Sequence, residues 1–189
     1  MSGPEPDYAA LLAALLTPYG HPVARRERER ALTLLMRDHA GRARSELLEA
    51  VRSRPASPQV PGILEVLPFF GGDEQVPVLE SLLAGEDPDI AGYAGTALGR
   101  LPGPAAETAL RQALASPSAR VAAAAADGAG VRADTGLCEP LRARLADSDP
   151  ELRYHVVHAL LALGCLDRAQ RESLAATEPD PGVRDLLGW

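Results

Sequence analysis

Residues 149–164 read DPELRYHVVHALLALG, and residues 87–102 read DPDIAGYAGTALGRLP. Both open on Asp-Pro. Asp is an N-cap acceptor, and Pro fits the first helical position because its missing N–H removes no intrahelical bond. Leu152, Val156, Leu160 and Leu163 follow at helical spacing, and 62 positions earlier stand Ile90, Ala94, Leu98 and Leu101. The same amphipathic helix is therefore written twice, in register. Glycine stands near the expected helix ends as Gly99, Gly130 and Gly164, suited to the left-handed turn that stops a helix.

Working outward, a small or polar residue precedes proline at His21-Pro22, Ser57-Pro58, Asp87-Pro88, Ser116-Pro117, Asp149-Pro150 and Asp180-Pro181, at intervals of 36, 30, 29, 33 and 31 residues. Each is predicted to start a helix. Arg25, Arg120, Arg153 and Arg184 stand three residues after their prolines. A second apolar stretch follows the first: Val76, Leu79 and Leu83, then Leu110 and Leu114, then Leu137, Leu141 and Leu145. A helix-turn-helix unit of this size cannot bury its apolar stripe alone, whereas a stack of such units makes a continuous core and an extended surface.

The spacing predicts an all-α protein, an α-solenoid of about five to six helix-turn-helix repeats in a single domain over 1–189. Its parts are a capping segment 1–20, repeats 21–56, 57–86, 87–115, 116–148 and 149–179, and a truncated capping repeat 180–189. A helix over Asp7–Leu16 covers the first repeat. Leu186, Leu187 and Trp189 close the other end, with Trp189 read as an end cap rather than a ligand anchor.

Composition agrees. Ala (34) and Leu (29) make up one third of the 189 residues, against 4% aromatics, two Ile and 11 Val, which argues against all-β and parallel α/β folds. Nineteen Arg with no Lys and no Asn match the codon bias of a GC-rich bacterial genome. The N-terminal MSGPEPDYAALLAALL has neither a basic n-region nor a long apolar run, so a cytoplasmic protein without a membrane segment is expected. Cys138 and Cys165, 27 residues apart and outside any CxxC, read as separate buried thiols rather than a zinc or redox pair.

The strings at 87–102 and 149–164 resemble the first helix of a HEAT-like repeat of the phycobilisome-lyase type, and DPGVRDLLGW (180–189) resembles the start of another, cut short. The resemblance covers 87–189 well, 57–86 fairly and 21–56 weakly, because RRERER (25–30) occupies positions that are apolar elsewhere. It implies a repeat scaffold, in which the arginine after the cap pairs with an Asp of a neighbouring repeat. Arg120, Arg153 and Arg184 are then structural. It identifies no catalytic residue of a bilin lyase.

Charge is unevenly placed along a chain of net charge −7. Residues 21–54 carry nine Arg and five acids, whereas 55–99 carry seven acids and no base. One reading is two solvated helix faces. The other is an interaction field, with Glu65, Asp73, Glu74, Glu80 and Glu86 as candidates for a basic protein or peptide partner. Arg111, Arg142, Arg144 and Arg171, on second helices expected along the concave face, form a second candidate set for an acidic partner. The basic and acidic stretches also suit self-association between copies. Nucleic acid is not expected, since a pI of about 5.1 and few aromatics oppose phosphate binding.

His155 and His158 share a helix face at a spacing two metal ligands need, with only Asp127 or Cys165 to complete a site. No His precedes Glu, unlike HEAT-type iron hydroxylases, so no metal and no cofactor are implied. Asp127 breaks the pattern inside RVAAAAADGAGV, where aligned repeats have Leu98 and Leu160. Three readings stand: the helix ends at Asp127-Gly128 and leaves the carboxylate in water; Asp127 pairs with Arg120 or Arg153; or it is a ligand-binding acid beside an alanine patch. GxSxG, Walker and GxGxxG motifs are missing, and Gly71-Gly72 and Gly128-Ala129-Gly130 read as helix-ending turns. The expected function is a non-catalytic scaffold or adaptor for a protein or peptide. The alternative is a lyase- or isomerase-like or small-molecule-binding accessory protein using the face around Asp127, His155 and His158.

Overall fold

Asp-Pro decides where three helices begin. In a computed structural model describing residues 7–17 and 22–188, the Asp87 and Asp149 carboxylates each accept from the two backbone N–H groups at N2 and N3, and Asp180 accepts from Val183. Every regular element among the described residues is helical. None of these helices is long and apolar enough to cross a membrane. Contacts group the chain into two units, one ending at Gln75 and one beginning at Val76, a boundary inside the predicted 57–86 repeat.

The first unit holds α1 (Tyr8–Leu15), α2 (Pro22–Asp38), α3 (Ala40–Ser53) and α4 (Val60–Val66), followed by short 3-10 turns at Leu67–Phe70 and Asp73–Gln75. Asp7 caps α1, and Leu11 and Leu15 are buried, as the capping role requires. The RRERER run does not break the stripe on α2, because Arg28 is itself buried in line with Ala31 and Leu35. Arg28 reaches Glu65 at 3.2 Å and the Gly62 carbonyl at 3.1 Å. Gly71 and Gly72 make the predicted turn with φ of 62° and 100°. Gln75, fully buried, secures it by donating to the carbonyls of Leu67 and Gly71. At Ser57-Pro58 the expectation is corrected: α4 starts at Val60, and the Ser57 hydroxyl accepts from the N–H of Gln59, ahead of the helix, rather than capping it.

The second unit contains α5 (Val76–Leu83), α6 (Pro88–Arg100), α7 (Pro104–Leu114), α8 (Ala119–Arg132), a 3-10 turn at Thr135–Leu137, α9 (Cys138–Arg142), α10 (Pro150–Ala162), α11 (Arg168–Thr177) and α12 (Pro181–Leu187). The core follows the register read from sequence: Ile90, Ala94, Leu98 and Leu101 are buried, as are Leu152, Val156 and Leu160. Ser116-Pro117 does not start α8. Ser118 does, two residues on, by accepting from Val121.

Glycine positions need a larger correction. Gly99, Gly128 and Gly130 lie inside helices rather than at their ends; Gly164, at φ 67°, is the one that ends a helix as expected. A Cβ on Gly95 or Gly99 would collide with the backbone of Ala124 or Gly128, so α6 and α8 touch backbone to backbone. First helices α6, α8 and α10 thus pack closely, and second helices α5, α7 and α9 much less so. Cys138 and Cys165 are corrected too: a disulfide joins them, their Cα atoms 6.1 Å apart. Residues about one repeat apart become neighbours on stacking, a proximity that CxxC spacing does not test. Trp189 lies outside the described residues.

Candidate functional site

Asp127 sits mid-way along α8, whose N-cap is Ser118 and whose end is Ala133 in the left-handed conformation, φ 56°. The helix therefore does not stop at Asp127-Gly128. Neither does Asp127 meet an arginine: Arg153 pairs with Glu178 at 2.6 Å, and Arg120 reaches the Ala84 carbonyl at 3.5 Å. Its partner is His155 of α10, with Nδ1 2.6 Å from Oδ1. A carboxylate only accepts, so His155 Nδ1–H is the donor. Both side chains are about 30% exposed. The hydrogen bond to Asp127 raises the His155 pKa above its ordinary value; partial burial opposes this, and the charges of Asp127 and Glu151 add to it.

The pair lies in a groove of about 290 Å³ across the N-terminal halves of α6, α8 and α10. Pro88, Gly92, Ala119, Ala123 and Ala124 make its apolar part, and the small side chains are what leave it open. Arg120, Asp149, Glu151 and His155 supply polar groups around Asp127. The alanine patch and the acid beside it, legible in RVAAAAADGAGV, are thus brought together with a histidine 28 residues on. His158 is exposed and does not line the groove. Cys165 is held in the disulfide, and no cluster of three or more His, Cys, Asp or Glu among the described residues could hold a metal ion.

A family model described as HEAT repeats matches residues 76–160 and 107–187, together more than half of the chain. The chain belongs to the HEAT-repeat family. Its fold is similar to the complex of CpcE and CpcF of phycocyanin lyase from Nostoc sp. PCC7120, with TM-score 0.52 and 17% identity over 99% of this chain and 76% of that one. A designed armadillo repeat protein also aligns, at TM-score 0.40 and 17% identity, over 96% of this chain and 97% of that one. No curated protein matches.

In this HEAT-repeat protein the arginines expected to face a partner mostly bind the scaffold. Arg144 reaches the carbonyls of Leu114 and Ser116 and pairs with Asp147 at 2.8 Å. Arg142 donates to the Cys165 carbonyl at 2.8 Å, and Arg111 to Gly136 at 2.8 Å as well as to Glu107. These carbonyls lie in a neighbouring helix end or turn, where helical bonding leaves acceptors unused. Arg132, not singled out by sequence, does the same for Leu101 and Gly103. Arg171 instead lies beside Arg168 and Leu187 near the C-terminal end. Of Arg120, Arg153 and Arg184, only Arg153 pairs with a carboxylate among the described residues, and it is Glu178 rather than an Asp. Arg153 takes Glu178 and the Asp147 carbonyl, and Arg184 takes the Glu178 and Pro179 carbonyls.

The five candidate acids divide between the units. In the first, Glu65 pairs with Arg28 and Glu74 with Arg44 at 2.5 Å, while Asp73 is exposed. Glu80 and Glu86, in the second, are exposed.

Proposed function

We propose that this HEAT-repeat protein is a non-catalytic adaptor whose second unit captures a basic segment of a partner protein. One observation carries the reading. Residues 76–189 hold ten Arg and sixteen acids, a net charge of −6, and most of those arginines are engaged within the repeats. Glu80, Glu86, Asp89 and Glu151 are exposed and pair with no cation among the described residues. A field of one sign, not neutralised internally, attracts a partner of the other. The cytoplasm of a bacterium remains the setting the sequence favours.

The test is affinity capture from the native host with wild-type chain and with the double variant Glu80→Arg/Glu86→Arg, followed by identification of what is retained. The variant should lose the captured protein, and that protein should present a cluster of Arg or Lys. Retention equal to wild type sinks the reading. A second reading, an accessory role toward a small molecule of lyase or isomerase chemistry, is favoured by the groove around Asp127. Protein purified without a visible chromophore or co-purified ligand counts against it.

A further inference from the structure

We propose that the groove over α6, α8 and α10 receives one arginine or lysine side chain of a bound polypeptide, with its cationic head on Asp127. This rests on the adaptor reading, and adds where such a side chain is held and what controls it. Gly92, Ala119, Ala123 and Ala124 give an apolar trough suited to the methylene stem. Asp127 uses Oδ1 to accept from His155, whereas its Oδ2 has no protein partner among the described residues. Asp149 and Glu151 bring two further carboxylates to the groove against a single guanidinium, Arg120, whose Nη2 reaches the Ala84 carbonyl at 3.5 Å and whose buried Nη1 has no partner among the described residues. An anionic ligand would meet three carboxylates; a guanidinium or ammonium meets complementary charge.

His155 then acts as the gate. With both ring nitrogens protonated it holds a positive charge against Asp127 and repels an incoming cation. When the Nε2 proton leaves to solvent, Nδ1–H still donates to Oδ1 and the carboxylate charge is left for the ligand. The charged groups facing His155 are Asp127 and Arg120 from α8 and Asp149 and Glu151 at the start of its own helix. From α9 and α12, the other helices packed on α10, no charged side chain lines the groove. Cation binding should therefore tighten as pH rises, with release of one proton.

The probe is the tripeptide acetyl-Ala-Arg-Ala-amide, titrated into the full-length 15N-labelled chain, with its citrulline counterpart as the uncharged control. Saturable shifts at Ala123, Asp127 and His155 are expected with the arginine peptide only, with affinity rising severalfold from about pH 6 to about pH 8.5. Asp127→Asn should weaken it about tenfold. His155→Gln, which can still donate to Asp127, should bind without the pH dependence. Gly92→Leu should abolish binding without loss of melting temperature, since a Cβ there meets nothing within 4 Å. Equal shifts with citrulline, unchanged affinity in Asp127→Asn, or binding that survives Gly92→Leu would overturn the proposal. Glu80 and Glu86 lie outside the groove, so loss of partner capture in their double variant alongside a silent groove removes this site and leaves the adaptor standing.

Discussion

Asp127 and His155 share a hydrogen bond across two helices, and its worth depends on pH in a definite direction. The folded-state pKa of His155 lies above its ordinary value of 6.5. Its contribution to stability is therefore complete below pH 6.5 and is lost as pH rises through the folded pKa. Asp127→Asn should be less stable than wild type by about 1 kcal/mol at pH 5.5, and the gap should narrow by pH 9. Urea midpoints at the two pH values measure this; a gap that widens with pH contradicts it. The sequence made Asp127 conspicuous because an acid stood in a leucine position, but it could not name the partner. Repeat spacing holds part of the missing signal: residues about one repeat apart on first helices become neighbours, which brings His155 and His158, 28 and 31 positions on, within reach without choosing between them.

At the scale of elements, the same alanine and glycine that read as helix-forming filler set the spacing between helices. Gly95 and Gly99 are needed where α6 meets the backbone of α8, whereas Gly92, one turn earlier, faces the open groove. Gly99→Ala should cost at least about 3 kcal/mol, because the added methyl strikes Gly128 backbone that cannot step aside. Gly92→Ala should instead stabilise by about 0.5 to 1 kcal/mol, the ordinary gain of alanine in a helix. Melting curves of the two variants should move in opposite directions; a common direction removes the packing account. Here the sequence was legible in part. Asp-Pro and the leucine register fix helix starts and core positions through local hydrogen bonding and burial. A glycine at a backbone contact and a glycine at a helix end look the same until the neighbouring helix is known. Gly99 and Gly130 were for that reason expected as caps, and Cys138 as a solitary thiol.

For the whole molecule, the question is which polyion the surface admits. The chain carries −7, of which −6 belongs to residues 76–189, and the positive surplus of residues 21–54 is partly closed within its own unit by Arg28 with Glu65 and Arg44 with Glu74. The arginines that phosphate binding would need are instead bound to carbonyls between repeats, as Arg132, Arg142 and Arg144 show. Moving them to a phosphate would leave those carbonyls without a donor, which adds a cost to the repulsion of the acidic field. A nonapeptide of arginine should therefore bind the full chain, and a fluorescent 20-base-pair duplex should not, both measured by anisotropy at about 0.15 M salt. The peptide's affinity should fall roughly tenfold between about 0.05 M and about 0.3 M salt as the field is screened. Duplex binding with the steeper salt slope of the two would reverse the assignment of partner class, because it would require the arginines to leave the repeat contacts in which the structure holds them.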